Sequence, residues 1–331
     1  MQLTQKKSRR GDLLTAAAVA MLLAVMAALL YTGSLTRQVT NMLIPTAVYI
    51  VMAVSLNLVV GLLGELSLGH AGFMSVGLFS GCLVAIALTN TALPLMVRLP
   101  VSMLAGGLTA AGFGLLVGLP TLRLRGDYLA IVTLACGEII KNIITNLRVT
   151  GGALGLNTTA IYAGAKELLP YGAALVLLTV AVMLNLKRSK YGRAIMAIRD
   201  NRIAAESVGL SITRYKLAVF VIAAFFAGCA GVLYGHSLAN IKAAAFDYNM
   251  SIEILVIVVL GGMGSVPGSV VSAIVLTVLP EALREVADYR MLVYAVVLIL
   301  VMQATNNPAM KRFFGAACKS LTPKGKERAA L

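Results

Sequence analysis

The chain has 331 residues, of which 59% are hydrophobic and only 12% charged, with a formal net charge of +15 and no tryptophan. A soluble domain carries about 25% charged residues, so this composition and a mean hydropathy of +0.90 exclude an ordinary soluble protein and indicate an integral membrane protein. Long apolar runs recur throughout, which favours an all-α, polytopic helical protein over a β-barrel; the basic residues are confined to short loops and both tails, which excludes nucleic acid as their partner.

A basic tail at 1–12, with Lys6, Lys7, Arg9 and Arg10, leads into an apolar run at 13–32. That run is longer than the ~7–15 residues of a signal-peptide core, so it reads as an uncleaved first span. Further membrane segments are expected at 39–61, 66–89, 99–119, 128–147, 169–186, 217–239, 250–262, 266–280 and 290–305, before a second basic tail at 306–331. A span needs about 20 residues, and 250–262 and 266–280 fall short. A single membrane domain at 13–305 therefore holds about ten membrane segments, or eight spans plus a re-entrant hairpin. Both counts are even and put the termini on one side. Twenty of the 28 basic residues then lie on that side, which by the positive-inside rule is the cytoplasm.

Two glycine-rich interruptions stand out. Gly61–Phe73 contains four glycines, Glu65 and His70 within an apolar stretch, the mark of a broken helix near a substrate path or of close helix packing. A similar break runs from Gly261 to Gly268, and the two could be corresponding parts of a weak internal repeat. The other intramembrane ionisable groups are Glu138, Lys141 and Glu253. Each is costly in lipid and must face protein or water. Glu138 and Lys141 are spaced i,i+3 and can pair on one helix face, either as a brace or within a pathway.

The loop 187–216 carries Lys187, Arg188, Lys190, Arg193, Arg199, Arg202, Arg214 and Lys216 against only Asp200 and Glu206. Its apolar spacing predicts a cytoplasmic helix near 193–208, with Ile195, Ile198, Ala205 and Val208 on one face and Arg193, Arg199 and Arg202 solvated or near lipid phosphate. Gly209 is placed to end it. Small residues at Ala205 and Gly209 would let a partner approach closely, so the loop reads as a docking element. No GxxxxGK[ST] phosphate loop, no Ser-His-Asp set and no metal-ligand cluster appears. Cys82, Cys136, Cys229 and Cys318 lie far apart and read as apolar fillers.

At specific stretches the chain resembles permease subunits of branched-chain amino-acid ABC importers. These are Ser55–Gly61 with Leu66–Phe73, Leu124–Leu134 with Glu138-Ile139, Thr150–Gly152, Gly192–Ala194 and Val259–Ser265, in the family's order. Within the family it resembles the longer of the two permeases that commonly pair. The resemblance implies a helical half-channel that is not itself an enzyme and holds no cofactor, with ATP and Mg bound by partners. Those partners would be a second permease, identical or different, two cytoplasmic ABC ATPases and an extracytoplasmic amino-acid-binding protein, all at the bacterial inner membrane. Asn57 and Ser67 of the matched stretches join Glu65, His70, Glu138, Lys141 and Glu253 as the candidate translocation path. Gly192, Arg193, Ile198, Ala204, Ala205, Glu206 and Gly209 form the candidate ATPase-coupling loop. The tail at Gln303–Pro308 lacks the family's expected Arg-Pro-x-Gly turn. Urea or short amides are alternative substrates, and an ion-coupled transporter using Glu65, Glu138 and Glu253 is the alternative class.

Overall fold

The computed structural model describes residues 17–28, 36–89, 94–124 and 126–282, together with Leu30, Thr32 and Val296. The expected tails 1–12 and 306–331, the expected span 290–305 apart from Val296, and Arg125 lie outside the described residues. The chain divides into two compact units, Met1–Val278 and Leu279–Leu331, and the account below concerns the first.

The helices are α1 (Ala17–Ala28), α2 (Arg37–Asn57), α3 (His70–Thr89), α4 (Leu95–Thr121), α5 (Asp127–Asn146), α6 (Ala165–Arg188), α7 (Lys190–Asp200), α8 (Arg202–Ser207), α9 (Ile212–His236), α10 (Tyr248–Gly261) and α11 (Val266–Ala282). Among the described residues, seven helical stretches are long and apolar enough to cross a membrane. The expected spans that fall within the described residues are therefore recovered as helices, with revised ends. Residues 66–69 are irregular, so α3 begins at His70 rather than at 66. α9 begins five residues earlier than expected, which places Arg214 and Lys216 inside it.

α2 lies at the centre. It is apolar all round, and a helix without a polar face is buried on every side; every residue from Ile50 to Leu63 is buried. The helix closes in a π-helical turn over Leu58–Leu63, where the Gly64 and Glu65 amides both donate to Val59 O. α3, α4 and α9 form the tightest packing. A Cβ at Gly228 of α9 would stand 2.5 Å from the Ala110 Cβ and 2.6 Å from Gly106 O of α4, and Gly77 of α3 presses on the same crossing. Without water to drive association inside a bilayer, such small-residue contacts are what bring helix backbones together. α4 turns Leu104, Leu108, Leu115 and Leu116 outward, as hydrocarbon-facing residues should be.

The two short segments form one antiparallel helical hairpin. Ser272 Oγ of α11 donates to Ile257 O of α10 at 2.7 Å, and Gly261 packs against Gly268 across the turn. The ends of α2, α6 and α10 and the start of α9 meet at one end of the bundle, which carries the basic 187–216 segment. At the other end a two-residue antiparallel ladder pairs Leu156 with Ile241 and Asn157 with Asn240. The Thr158 amide donates to Ala239 O at 3.0 Å, binding the two long connections into one cap.

The glycine crossing predicts a contrast between two alanine substitutions. Gly112 of α4 has open space where a Cβ would go, so Gly112→Ala should hold or raise the unfolding temperature, alanine being favoured over glycine in a helix by about 0.5–1 kcal/mol. Gly228→Ala should lower it, because overpacking costs about 1–3 kcal/mol. Thermal unfolding in detergent reads both, and equal effects would contradict the packing described.

Candidate functional site

The two glycine breaks pack against each other. Asn57, at the end of α2, donates Nδ2 to Ser265 O at 3.1 Å and to Ser269 Oγ at 2.9 Å, and its Oδ1 accepts the Gly264 amide at 2.7 Å. A Cβ at Gly61 would stand 2.7 Å from Gly264 Cα and overlap the Gly264 nitrogen. Only glycine allows backbones this close. The breaks are thus two halves of one junction in space.

The basic segment closes over this junction. Its expected single helix is two: α7 is capped by Ser189, whose Oγ accepts the Gly192 amide at 3.0 Å, and α8 by Asn201, whose Oδ1 accepts the Ala204 amide at 3.0 Å. Asn201 is extended (φ −152°, ψ 102°), and its side chain offers α8 an N-cap in place of helix continuation. Gly209 ends α8 as expected, at φ +83°, with the Leu210 amide bonded to Ala205 O and the Gly209 amide to Glu206 O. That is the paired hydrogen-bond pattern of a left-handed helix stop.

The face assignment is partly corrected. Ile195, Ile198 and Ala205 are buried, and Ile198 and Ala205 cluster with Ile212 against Leu210 and Tyr215. Ala205 therefore faces the bundle and is not a free docking surface. Val208 is 76% exposed and Ile203 81%, because the break at Asn201 rotates α8 out of register with α7. Ala204, Glu206 and Gly209 are exposed with them, as is Arg193. Gly192 is buried where α6 turns into α7. Arg199 is not simply solvated: its Nη1 donates to Gly61 O at 3.0 Å, and Nε and Nη2 both donate to Asp200 Oδ1.

The candidate path residues fall into separate groups. Asn57 and Glu65 belong to the junction, where Glu65 pairs with Lys216 of α9. His70 is buried, with Nε2 2.8 Å from Ser55 Oγ; Ser67 is buried without a hydrogen-bond partner. Around them the Leu68 amide donates to Thr133 Oγ1 of α5 and the Ala71 amide to Ser251 Oγ of α10. Within the irregular Leu66–Gly69 stretch Ser67 and Gly69 are buried while Leu66 is exposed, so its non-helical backbone is held against protein on one side. Farther along α5, Glu138 pairs with Lys141 and its Oε1 accepts the Tyr248 amide at 2.9 Å, capping the start of α10 together with Asp247. Glu253 accepts from Tyr49 Oη at 3.3 Å. Sequence reasoning missed Lys187, Lys216, Thr133, Ser251 and Ser269 as partners, because only the fold brings them to the breaks. An apolar cleft lined by Leu23, Met26, Leu43, Ala47, Ile50 and Leu169 has little polar character with which to read an amino acid.

Apolar spans, a buried broken helix and a capped basic element at one end define a polytopic helical membrane protein of the transport type. The chain belongs to the family described as branched-chain amino acid transport system / permease component, whose model matches residues 38–302. It is 36% identical over 296 residues to the high-affinity branched-chain amino acid transport system permease protein LivM of Salmonella typhimurium. It is 37% identical over 290 residues to LivM of Escherichia coli. Each match covers 78% of this chain and 66% of the relative, just under two thirds of its length. The high-affinity branched-chain amino acid transport system permease protein LivH of Salmonella typhimurium is 31% identical over 126 residues, 37% of this chain and 40% of that protein. No solved structure matches.

The Glu138 contacts predict a graded loss. Glu138→Ala removes both the Lys141 pairing and the cap on α10 and should cost about 1–3 kcal/mol, whereas Glu138→Gln keeps an acceptor for Tyr248 and should cost less. Adding Lys141→Ala to Glu138→Ala should recover part of the loss, since it removes the orphaned cation. Thermal unfolding of the three variants tests this; additive damage in the double variant would show that the two residues act separately.

Proposed function

We propose that this chain is a permease subunit of an ATP-driven importer, translocating leucine, isoleucine, valine or related amino acids across the bacterial cytoplasmic membrane. Family membership and the names of the LivM and LivH relatives support the substrate class. The observation that carries ATP coupling is α8: a short, doubly capped helix beyond the spans that exposes Ile203, Ala204 and Val208 beside an inward-facing Ala205. A solvated linker has no reason to hold such an edge in fixed geometry; a docking site for an ATPase does. The chain itself performs no hydrolysis in this reading, and ATP and Mg bind the two partner ATPases. Both termini and α7–α8 lie in the cytoplasm, where the basic residues cluster.

A second permease, identical or different, covers α5. Along that spanning helix Ile131, Ile139 and Ile143 are exposed together with Asn142 and Asn146. Amide side chains are poorly suited to hydrocarbon, so this face suits a protein partner or a water-filled path better than lipid. An extracytoplasmic binding protein delivers substrate to the capped end. Ion coupling through Glu65, Glu138 and Glu253 is less well supported, because each already has a partner: Lys216, Lys141 with the Tyr248 amide, and Tyr49.

The test is co-purification with two ATPases, a second permease and a binding protein, followed by uptake in proteoliposomes over a panel of branched-chain amino acids, urea and short amides. Uptake that needs ATP and not an ion gradient is expected; uptake driven by a proton or sodium gradient alone would overturn the reading. Ile203→Glu and Val208→Glu should each weaken ATPase binding by about tenfold or more, the scale of an interface anchor, and uptake with them. Cysteines at Ser207 and Leu154 should label from opposite sides of the membrane.

A further inference from the structure

Three cations on the segment that carries the docking helices reach into the two glycine breaks. Lys187, near the end of α6, donates Nζ to Gly264 O at 2.9 Å. Arg199 of α7 donates to Gly61 O, and its stem lies over Gly64, where a Cβ would stand 2.5 Å from the Arg199 Cγ. Gly64 is also at φ +78°, a conformation suited to glycine. Lys216, in the first turns of α9, pairs with Glu65. Gly61 O lies in the last turn of the helix that continues α2, where carbonyls lack helical partners and negative partial charge gathers, and Gly264 O lies in the turn between α10 and α11. One such contact would be ordinary capping. Here the donors come from α6, α7 and α9, flanking α8 on both sides, and the acceptors lie on both breaks, which Asn57 has already joined.

We infer that Lys187, Arg199 and Lys216 are coupling residues: they fasten α7–α8 to the broken ends of α2 and α10, so that displacement of the docking helices reaches the Gly64–Gly69 segment and the α10–α11 turn. They position the moving parts and do not touch substrate. The source of the displacement rests on the importer reading above; the fastening does not. Arg199 is the central member, because Asp200 fixes its guanidinium while Nη1 holds Gly61. Replacing it with glutamine removes the charge and the reach but strands no buried ion, so the bundle should still fold.

The experiment compares wild type, Arg199→Gln, Arg199→Lys and Lys187→Gln in the assembled transporter, reading amino acid taken up per ATP hydrolysed. Arg199→Gln should retain its ATPases and continue to hydrolyse ATP, while uptake per ATP falls at least about fivefold, the lower end of ordinary coupling between sites. Lys187→Gln should fall in the same direction, and Arg199→Lys should recover part of the loss by restoring a cation. An unchanged ratio in Arg199→Gln, or loss of its ATPases, would overturn the inference, the latter by placing Arg199 in the docking face. Hydrogen exchange on the permease alone gives a second readout. Arg199→Gln should speed exchange in α7 and in Gly61–Gly69 together and leave the α3–α9 crossing unchanged; faster exchange confined to α7 would overturn the fastening. This second arm needs no transport, so a wild-type assembly without ATP-driven uptake would contradict the importer reading while the exchange result still decides the fastening.

Discussion

The approach of Gly61 to Gly264 constrains the rest of this end of the molecule. Two chain segments meet there at backbone distance, each at the end of a helix. A carbonyl or amide buried at such an end needs a partner, since leaving it unsatisfied costs about 1–3 kcal/mol. Asn57 supplies two of those partners at once, to the Gly264 amide and the Ser265 carbonyl, and also donates to Ser269 Oγ. Lys187 and Arg199 supply two more. The glycines permit the contact, and the polar side chains make it tolerable. Remove either, and the α10–α11 turn loses its hold on the end of α2.

This arrangement explains why the most buried helix is also the one that breaks. α2 is packed on every side from Ile50 to Leu63, so its end cannot unwind into lipid and instead unwinds against protein. Its π-helical turn leaves a short irregular stretch held by Thr133 and Lys216, with Ser251 holding the start of α3, from three different helices. α3 then restarts inside the bundle. An element held mainly by polar side chains, between rigid glycine-packed helices, is where a transporter can change shape at modest cost.

Much of this was legible in the sequence. Apolar length placed the spans, and the two glycine runs marked the breaks. Gly209 ended its helix as a left-handed stop should. The sequence could not show that the breaks face each other, because that contact joins residues some two hundred positions apart and leaves no periodic trace. The split at Asn201 was visible only as an N-cap residue inside a helical pattern, and the apolar spacing outweighed it. For that reason the spacing puts Val208 on one face with Ile195, Ile198 and Ala205, from which it is instead turned out to solvent, while Ala205, small enough for a partner to approach, is instead buried. Arg199 reads as a solvated charge in any one-dimensional view; its role comes from a bond to Gly61, 138 residues away. Residue type thus forecast which groups need partners, and the fold decided which ones they found.

The central claim is that the docking helices and both glycine breaks move as one piece. The most direct measurement is electron–electron distance spectroscopy on the assembled transporter, with spin labels at Ser207 and Met263 and, separately, at Ser207 and Tyr128, with and without nucleotide. All three positions are exposed on the permease. The account predicts that the Ser207–Met263 distance stays constant across nucleotide states while the Ser207–Tyr128 distance changes. A Ser207–Met263 distance that changes while the Ser207–Tyr128 distance stays fixed would contradict it.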